Sequence, residues 1–360
     1  MATRATTGGS LLINNMKTTA AVLTEINRPL QIEELTIPPL KKGQVLVEVA
    51  YSGICHSQLN EIQGLKGEDK YLPHALGHEG SGIVLDIGPD VTKVKHGDHV
   101  VLTWIKGSGH DVSSTQYSRK DGSIVNSGAI STFMTHAVIS ENRLVPIAKE
   151  MPLKEAALLG CAIPTGTGIV LNTAHVQPGQ SMAIFGCGGI GLSAIIAATM
   201  VGAAVIIAVD IREQKLTQAK EIGATHVIDA SRQALLEAIQ TITGGKGVDF
   251  AIEAAGKRET METAFKSVKD KGGLCILAGN LPVGHYISID PFDLIKGKRI
   301  MGTWGGESDP DRDIQLYVSM YLEKKLNLHL IPVSLFGLSQ INLAVKSLED
   351  GNIGRAIIEC

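Results

Sequence analysis

Between residues 156 and 209 the chain carries no Asp, Glu, Lys or Arg, and from 182 to 209 it is strongly apolar. A hydropathy window reads such a stretch as a membrane helix. The glycines argue against that reading. Gly186, Gly188, Gly189, Gly191 and Gly202 cut the stretch into pieces suited to a strand, a helix and a second strand. Val205 to Val209 is a strand-like run, and strands buried on both faces of a parallel sheet are apolar without alternation. The stretch therefore belongs inside an α/β domain, and no membrane association is expected.

The surrounding pattern agrees. Candidate strands at 182–185, 205–209, 225–228, 248–253, 273–278 and 299–303 alternate with helical segments such as Glu213 to Ile222, which Gly223 stops. Such alternation predicts a doubly wound parallel sheet of about six strands. The first 160 residues read differently. Val45, Val47 and Val49 recur at period two with Gln44 and Glu48 on the other face, although Leu46 breaks the alternation. Glycines at 77, 80, 82, 88 and 97 separate short apolar runs, which suggests an antiparallel barrel or sandwich. Residues from about 304 onward, with Leu316 to Lys325 helix-like, are expected to return to this first domain.

Composition excludes some function classes. A net charge of −3 with no Lys/Arg-rich run leaves no electrostatic footprint for nucleic acid. The five cysteines (55, 161, 187, 275 and 360) are an odd, widely spaced set, a poor disulfide framework that suits a reducing cytoplasm. Residues 1–15 lack the apolar core of a secretory signal. Met16 is a candidate natural start, with the preceding segment an added extension or a disordered arm.

Two motifs carry chemistry. Cys55, His78 and Cys161 are thiolate and imidazole ligands of the kind zinc prefers, and three protein ligands leave a fourth position open, as catalytic zinc requires. Their spacings of 23 and 83 residues do not identify a site unaided. Context helps: His78 sits in Gly77-His78-Glu79-Gly80, where Glu79 supplies a carboxylate beside the metal. The second motif, Gly186-Cys187-Gly188-Gly189-Ile190-Gly191, follows a strand and opens a helix, and Asp210 ends the next strand. That is the context a dinucleotide fingerprint needs. Gly186 allows the turn, Gly188 lets backbone approach the pyrophosphate, and Gly191 lets helix and strand pack closely. Asp210 disfavours a 2′-phosphate and so favours NAD, although Arg212 could accommodate one. Together the motifs point to hydride transfer between a zinc-bound alkoxide and a nicotinamide.

Gly53-Ile54-Cys55-His56-Ser57, Gly77-His78-Glu79-Gly80, Gly160-Cys161 and the glycine fingerprint, in this order, resemble the zinc-dependent alcohol dehydrogenases of the medium-chain dehydrogenase/reductase superfamily. The resemblance implies a GroES-like catalytic domain over 16–164, completed by 304–360, and a Rossmann domain over 165–303, with substrate and NAD meeting between them. It makes Cys55, His78 and Cys161 the zinc ligands, Glu79 their acidic neighbour and Ser57 the hydroxyl that takes the alcohol proton. Trp104 either walls the substrate pocket or packs a core. Thr165 lies near the nicotinamide or in a turn. His56 and Arg355 contact pyrophosphate, and Lys215 the adenosine ribose; the last two could equally be surface charges. A homodimer or homotetramer is implied, joined near Arg299 to Thr303.

The chain also departs from the family pattern. Residues 105–130 contain no cysteine, so the four-thiolate structural zinc of many members cannot form. One zinc per chain is expected, with this segment ordered some other way or mobile. Asn60 stands where familiar members end the proton relay with His, and an amide cannot exchange a proton near neutral pH. Water or His56 is left to finish the route. Rival readings are a zinc polyol or thiol-adduct dehydrogenase, and an NAD(H)-binding protein without catalysis.

Overall fold

The computed structural model describes residues 16–351 and 353–360, so the 1–15 arm lies outside the described residues. The chain forms two compact units. One comprises residues up to Gly160 together with Asp309–Glu323 and Val333–Cys360; the other comprises Cys161–Ser308 with Lys324–Pro332. The division falls at 160/161 instead of 164/165, and 324–332 clusters with the second unit. The reason for the first shift is local: the helix Ala162–Gly168 packs so closely on the helix Gly189–Met200 that a Cβ on Gly166 would lie 2.3 Å from the Ile190 carbonyl oxygen.

The first unit is mostly antiparallel. Its strands are Lys17–Leu23 (β1), Gln31–Thr36 (β2), Gln44–Ile54 (β3), His74–Ala75 (β4), Glu79–Ile87 (β5), His99–Thr103 (β6), Ser114–Ser118 (β7), Ile124–Gly128 (β8), His136–Ser140 (β9) and Leu144–Ile147 (β10). β1, β2, β7, β8 and β4 close into a barrel. β3 is central to the other sheet and pairs with both β5 and β9. This explains why Leu46 breaks the alternation: Gln44, Val45, Leu46 and Val47 are all buried, and the register shifts after Leu46. Gln44 was expected on the solvent face. It is 2% exposed, and its amide donates to Thr115 Oγ1 at 2.9 Å and accepts from Lys41 N–H at 2.8 Å.

The second unit holds six parallel strands, Ser181–Phe185 (β11), Val205–Asp210 (β12), His226–Asp229 (β13), Phe250–Glu253 (β14), Leu274–Leu277 (β15) and Arg299–Gly302 (β16), in the order β13-β12-β11-β14-β15-β16. The order reverses between β12 and β14, so β11 carries the switch point where such sheets bind ligands. The helix Glu213–Ile222 matches expectation to the residue, with Gly223 at φ +133° after it. Two later strands, Val333–Gly337 (β17) and Arg355–Glu359 (β18), return to the first unit, and β18 pairs with β3. The helix expected at 316–325 runs Pro310–Leu322 instead, because Asp309 caps it and Pro310 occupies its first turn.

Candidate active site

β3 delivers Cys55. The strand ends at Ile54, and Cys55 caps the helix His56–Ile62. β5 delivers His78 and Glu79, since the strand starts at Glu79 just after Gly77 at φ +96°. Cys161 comes directly after Gly160, whose missing side chain is required: a Cβ there would stand 2.4 Å from the Leu102 carbonyl oxygen and 2.8 Å from Glu79 Cβ. Ligand atoms of Cys55, His78, Glu79 and Cys161 all lie within 4.8 Å of one another. Zinc binds sulfur at about 2.3 Å and imidazole nitrogen at about 2.1 Å, so tetrahedral neighbours stand roughly 3.5–3.8 Å apart. The cluster fits a zinc ion in both donor type and spacing.

Glu79 is fully buried and held from several sides. Its carbonyl oxygen accepts from Ser52 Oγ at 3.0 Å and Thr132 Oγ1 at 3.1 Å, and its Oε1 accepts from the buried Arg355 guanidinium on β18. Its Oε2 has no hydrogen-bond partner, an expensive state for a buried carboxylate unless a cation stands near. Burial pushes the Glu79 carboxyl above its usual range, and the Arg355 charge pulls the other way. Beside the cluster, the His78 and Trp104 rings meet edge to face, with centroids 6.3 Å apart. Ser57 and Asn60 are both half-buried on the helix that Cys55 caps, while His56 is exposed.

In the second unit the glycine motif has the shape its residues imply. Gly186 turns at φ +96°, and a Cβ on Gly191 would lie 1.9 Å from the Gly186 carbonyl oxygen. A Cβ on Gly188 would meet nothing within 4 Å, so open space borders the backbone where a phosphate would approach. Asp210 ends β12 and ties the motif to it, with Oδ2 accepting from Cys187 N–H at 2.8 Å and Oδ1 from Ile211 and Arg212 N–H at 2.8 and 3.1 Å. Gly189 and Ile190 open the helix Gly189–Met200. Arg212 precedes, and Lys215 lies within, the helix Glu213–Ile222, both part-exposed. Thr165 is a buried helix residue and not a turn residue; its hydroxyl donates to the Cys161 carbonyl at 2.8 Å.

Residues 189–321 match the zinc-binding dehydrogenase family, and residues 41–149 match the alcohol dehydrogenase GroES-like domain. An S-(hydroxymethyl)glutathione dehydrogenase of Synechocystis is 34% identical over 95% of this chain and all of its own length. The chain belongs to the zinc-type medium-chain alcohol dehydrogenase superfamily. Two solved structures resemble this dehydrogenase closely. An alcohol dehydrogenase zinc-binding domain protein from Burkholderia ambifaria is 33% identical with a TM-score of 0.88, and benzyl alcohol dehydrogenase from Acinetobacter calcoaceticus is 32% identical with a TM-score of 0.86; each alignment covers 96% of this chain and 99% of the other.

In this zinc-type dehydrogenase the cysteine-free segment after Trp104 is ordered by hydrogen bonds. Its hub is Glu141, fully buried, which no motif signals. Glu141 Oε1 accepts from Thr92 N–H at 2.7 Å and Lys93 N–H at 2.9 Å, and Oε2 accepts from His110 N–H at 2.9 Å and His110 Nδ1–H at 2.7 Å. Burial opposes ionisation of Glu141, but these donors outweigh it and hold the pKa at about 2. Ser108 N–H donates to Asp311 at 2.6 Å, Lys93 Nζ pairs with Asp311 and donates to the Ser108 carbonyl at 3.1 Å, and Arg143 donates to the Trp104 carbonyl. A second histidine–carboxylate group, Glu61, Asp69 and His74, is satisfied internally. Lys66 pairs with Glu61 at 3.0 Å, and His74 Nε2 bonds Asp69 at 2.8 Å.

Proposed function

We propose that this zinc oxidoreductase interconverts an alcohol and its aldehyde or ketone with NAD(H). The observation carrying this reading is the Cys55, His78, Glu79 and Cys161 cluster, in which every donor lies within 4.8 Å of the others. Bound among these residues, zinc supplies a Lewis acid that polarises an alcohol or carbonyl oxygen and lowers the alcohol pKa. NAD, when bound, accepts the hydride.

The residues divide the remaining work. Cys55, His78 and Cys161 hold the metal, and Glu79, backed by Arg355, is the carboxylate beside it. Ser57, two residues past Cys55, takes the alcohol proton. Asn60 cannot relay it, so solvent or His56 completes the route. Gly186 to Gly191 cradle the pyrophosphate at a helix N-terminus, and His56 and Arg355 contact it as in the family pattern. Asp210 favours NAD over NADP by charge, Lys215 contacts the adenosine ribose, and Arg212, two residues past Asp210, is the cation able to accommodate a 2′-phosphate. Trp104, edge-on to His78, gives the pocket an aromatic wall that suits apolar or aromatic alcohols. Likeness to benzyl alcohol dehydrogenase supports that choice, and likeness to S-(hydroxymethyl)glutathione dehydrogenase supports a thiol-adduct alcohol as the second candidate.

A reducing cytoplasm suits a site that needs two thiolates. Edge strand β16 and its surroundings expose Phe292, Ile295, Met301 and Trp304, which supports pairing of two copies through that edge. The function is tested by supplying NAD with ethanol, benzyl alcohol and a hydroxymethyl thiol adduct, and following reduced nicotinamide by absorbance. Turnover with none of these, despite bound zinc and NAD, would leave a binding protein instead of an enzyme.

A further inference from the structure

Gln58 was not among the residues the sequence singled out, yet it touches two groups that define the metal cluster. It occupies the third position of the helix His56–Ile62 and is 2% exposed. Its Oε1 accepts from Cys55 N–H at 3.0 Å, and its Nε2 contacts His78 Nδ1. Gln58 thus covers Nδ1, one of the two ring nitrogens that could bind a metal. A histidine that binds metal through Nε2 carries its proton on Nδ1, and that N–H is held by an acceptor. An amide has one oxygen and two N–H donors. With the oxygen toward Cys55, the amide NH₂ faces Nδ1. With the amide turned over, the NH₂ faces the Cys55 N–H. The amide thus brings one neutral oxygen to these two groups, whereas a carboxylate would offer each its own and add negative charge beside the cation.

We propose that Gln58 is the positioning residue of the metal site, holding His78 with Nε2 toward the cluster, and that its single neutral oxygen keeps zinc less tightly bound than a carboxylate at this position would. The proposal rests on Cys55, His78 and Cys161 being the zinc ligands. A less neutralised zinc is the more electrophilic one toward a substrate oxygen, so the amide exchanges metal retention for polarising power.

The test is zinc affinity at fixed pH. The zinc-loaded parent, Gln58→Met, Gln58→Ala and Gln58→Glu are titrated against a colorimetric zinc chelator, with NAD titration to verify that the second unit is intact. Gln58→Met preserves packing volume, so it reads loss of the amide even where Gln58→Ala fails to fold. Loss of either kind is expected to weaken zinc about 10- to 100-fold. Gln58→Glu is expected to tighten it by roughly tenfold, a gain that a merely structural role for Gln58 would not produce. Affinities within twofold of the parent in Gln58→Met, or weaker binding in Gln58→Glu, overturn the proposal while leaving the zinc reading intact. A parent that holds no stoichiometric zinc overturns both.

Discussion

The metal cluster and the segment that follows Trp104 solve the same packing problem in opposite ways. Each gathers loops that are distant in sequence around one charged centre. At the cluster the gathering groups are soft ligands, Cys55, His78 and Cys161, with Glu79 left one oxygen short of a partner. Around residues 105–113 the centre is the Glu141 carboxylate, whose two oxygens each accept two N–H donors. The contrast separates two jobs that a metal can do. An ion that only ties loops together contributes folding energy, and hydrogen bonds can contribute that as well. An ion that polarises a substrate oxygen has no substitute among side chains.

The sharpest break of this comparison removes a ligand from each centre. Cys161→Ala should lower kcat/KM by roughly 10³-fold or more, the equivalent of about 4 kcal/mol at the transition state, with NAD affinity unchanged. Metal analysis and steady-state kinetics on one preparation check it. Retained activity without metal would end the zinc role. Stripping zinc from the parent should likewise abolish turnover while 105–113 stays as resistant to limited proteolysis as before.

Glu141→Ala should do the reverse, destabilising the first unit by about 3 kcal/mol, because four inward N–H groups lose their acceptor. Urea unfolding measures this, and zinc content per chain should stay at the parental value. The pH dependence follows from the depressed pKa of about 2. A carboxyl lowered on folding contributes stability that is complete above its ordinary value, near 4.5, and is lost as pH falls through about 2. The urea midpoint of the parent should therefore fall more steeply between pH 5 and 3 than that of Glu141→Gln. The smallest effect is expected from Lys93→Met, about 1 kcal/mol, since Ser108 N–H still anchors on Asp311.

The two centres were not equally legible in the sequence. The central strands β11, β12, β14 and β15 could be read from apolar runs, because burial on both faces writes itself into composition, whereas the edge strands β13 and β16 are more exposed and are placed by their spacing in the alternation. The helix at 310 was misplaced by six residues because its start is set by one side chain, Asp309, and not by periodicity. Cys55, His78 and Cys161 stood out by residue type and by the Gly77-His78-Glu79-Gly80 context, but their reading as one ligand set leaned on a resemblance, since spacings of 23 and 83 residues have no local signature. Gln58 and Glu141 were missed for a related reason. Each accepts from main-chain N–H groups that any residue carries and meets a histidine ring distant in sequence, so nothing local marks them.

The Glu79–Arg355 contact spans 276 residues of chain. At the usual pace of synthesis, an interval of tens of seconds separates emergence of the two partners from the ribosome. Until β18 joins β3, burying Glu79 means burying a carboxylate with no guanidinium beside it, which is costly. The nascent chain thus carries Cys55, His78, Glu79 and Cys161 well before Glu79 can meet its guanidinium partner, and the last-made strand decides when that carboxylate is settled.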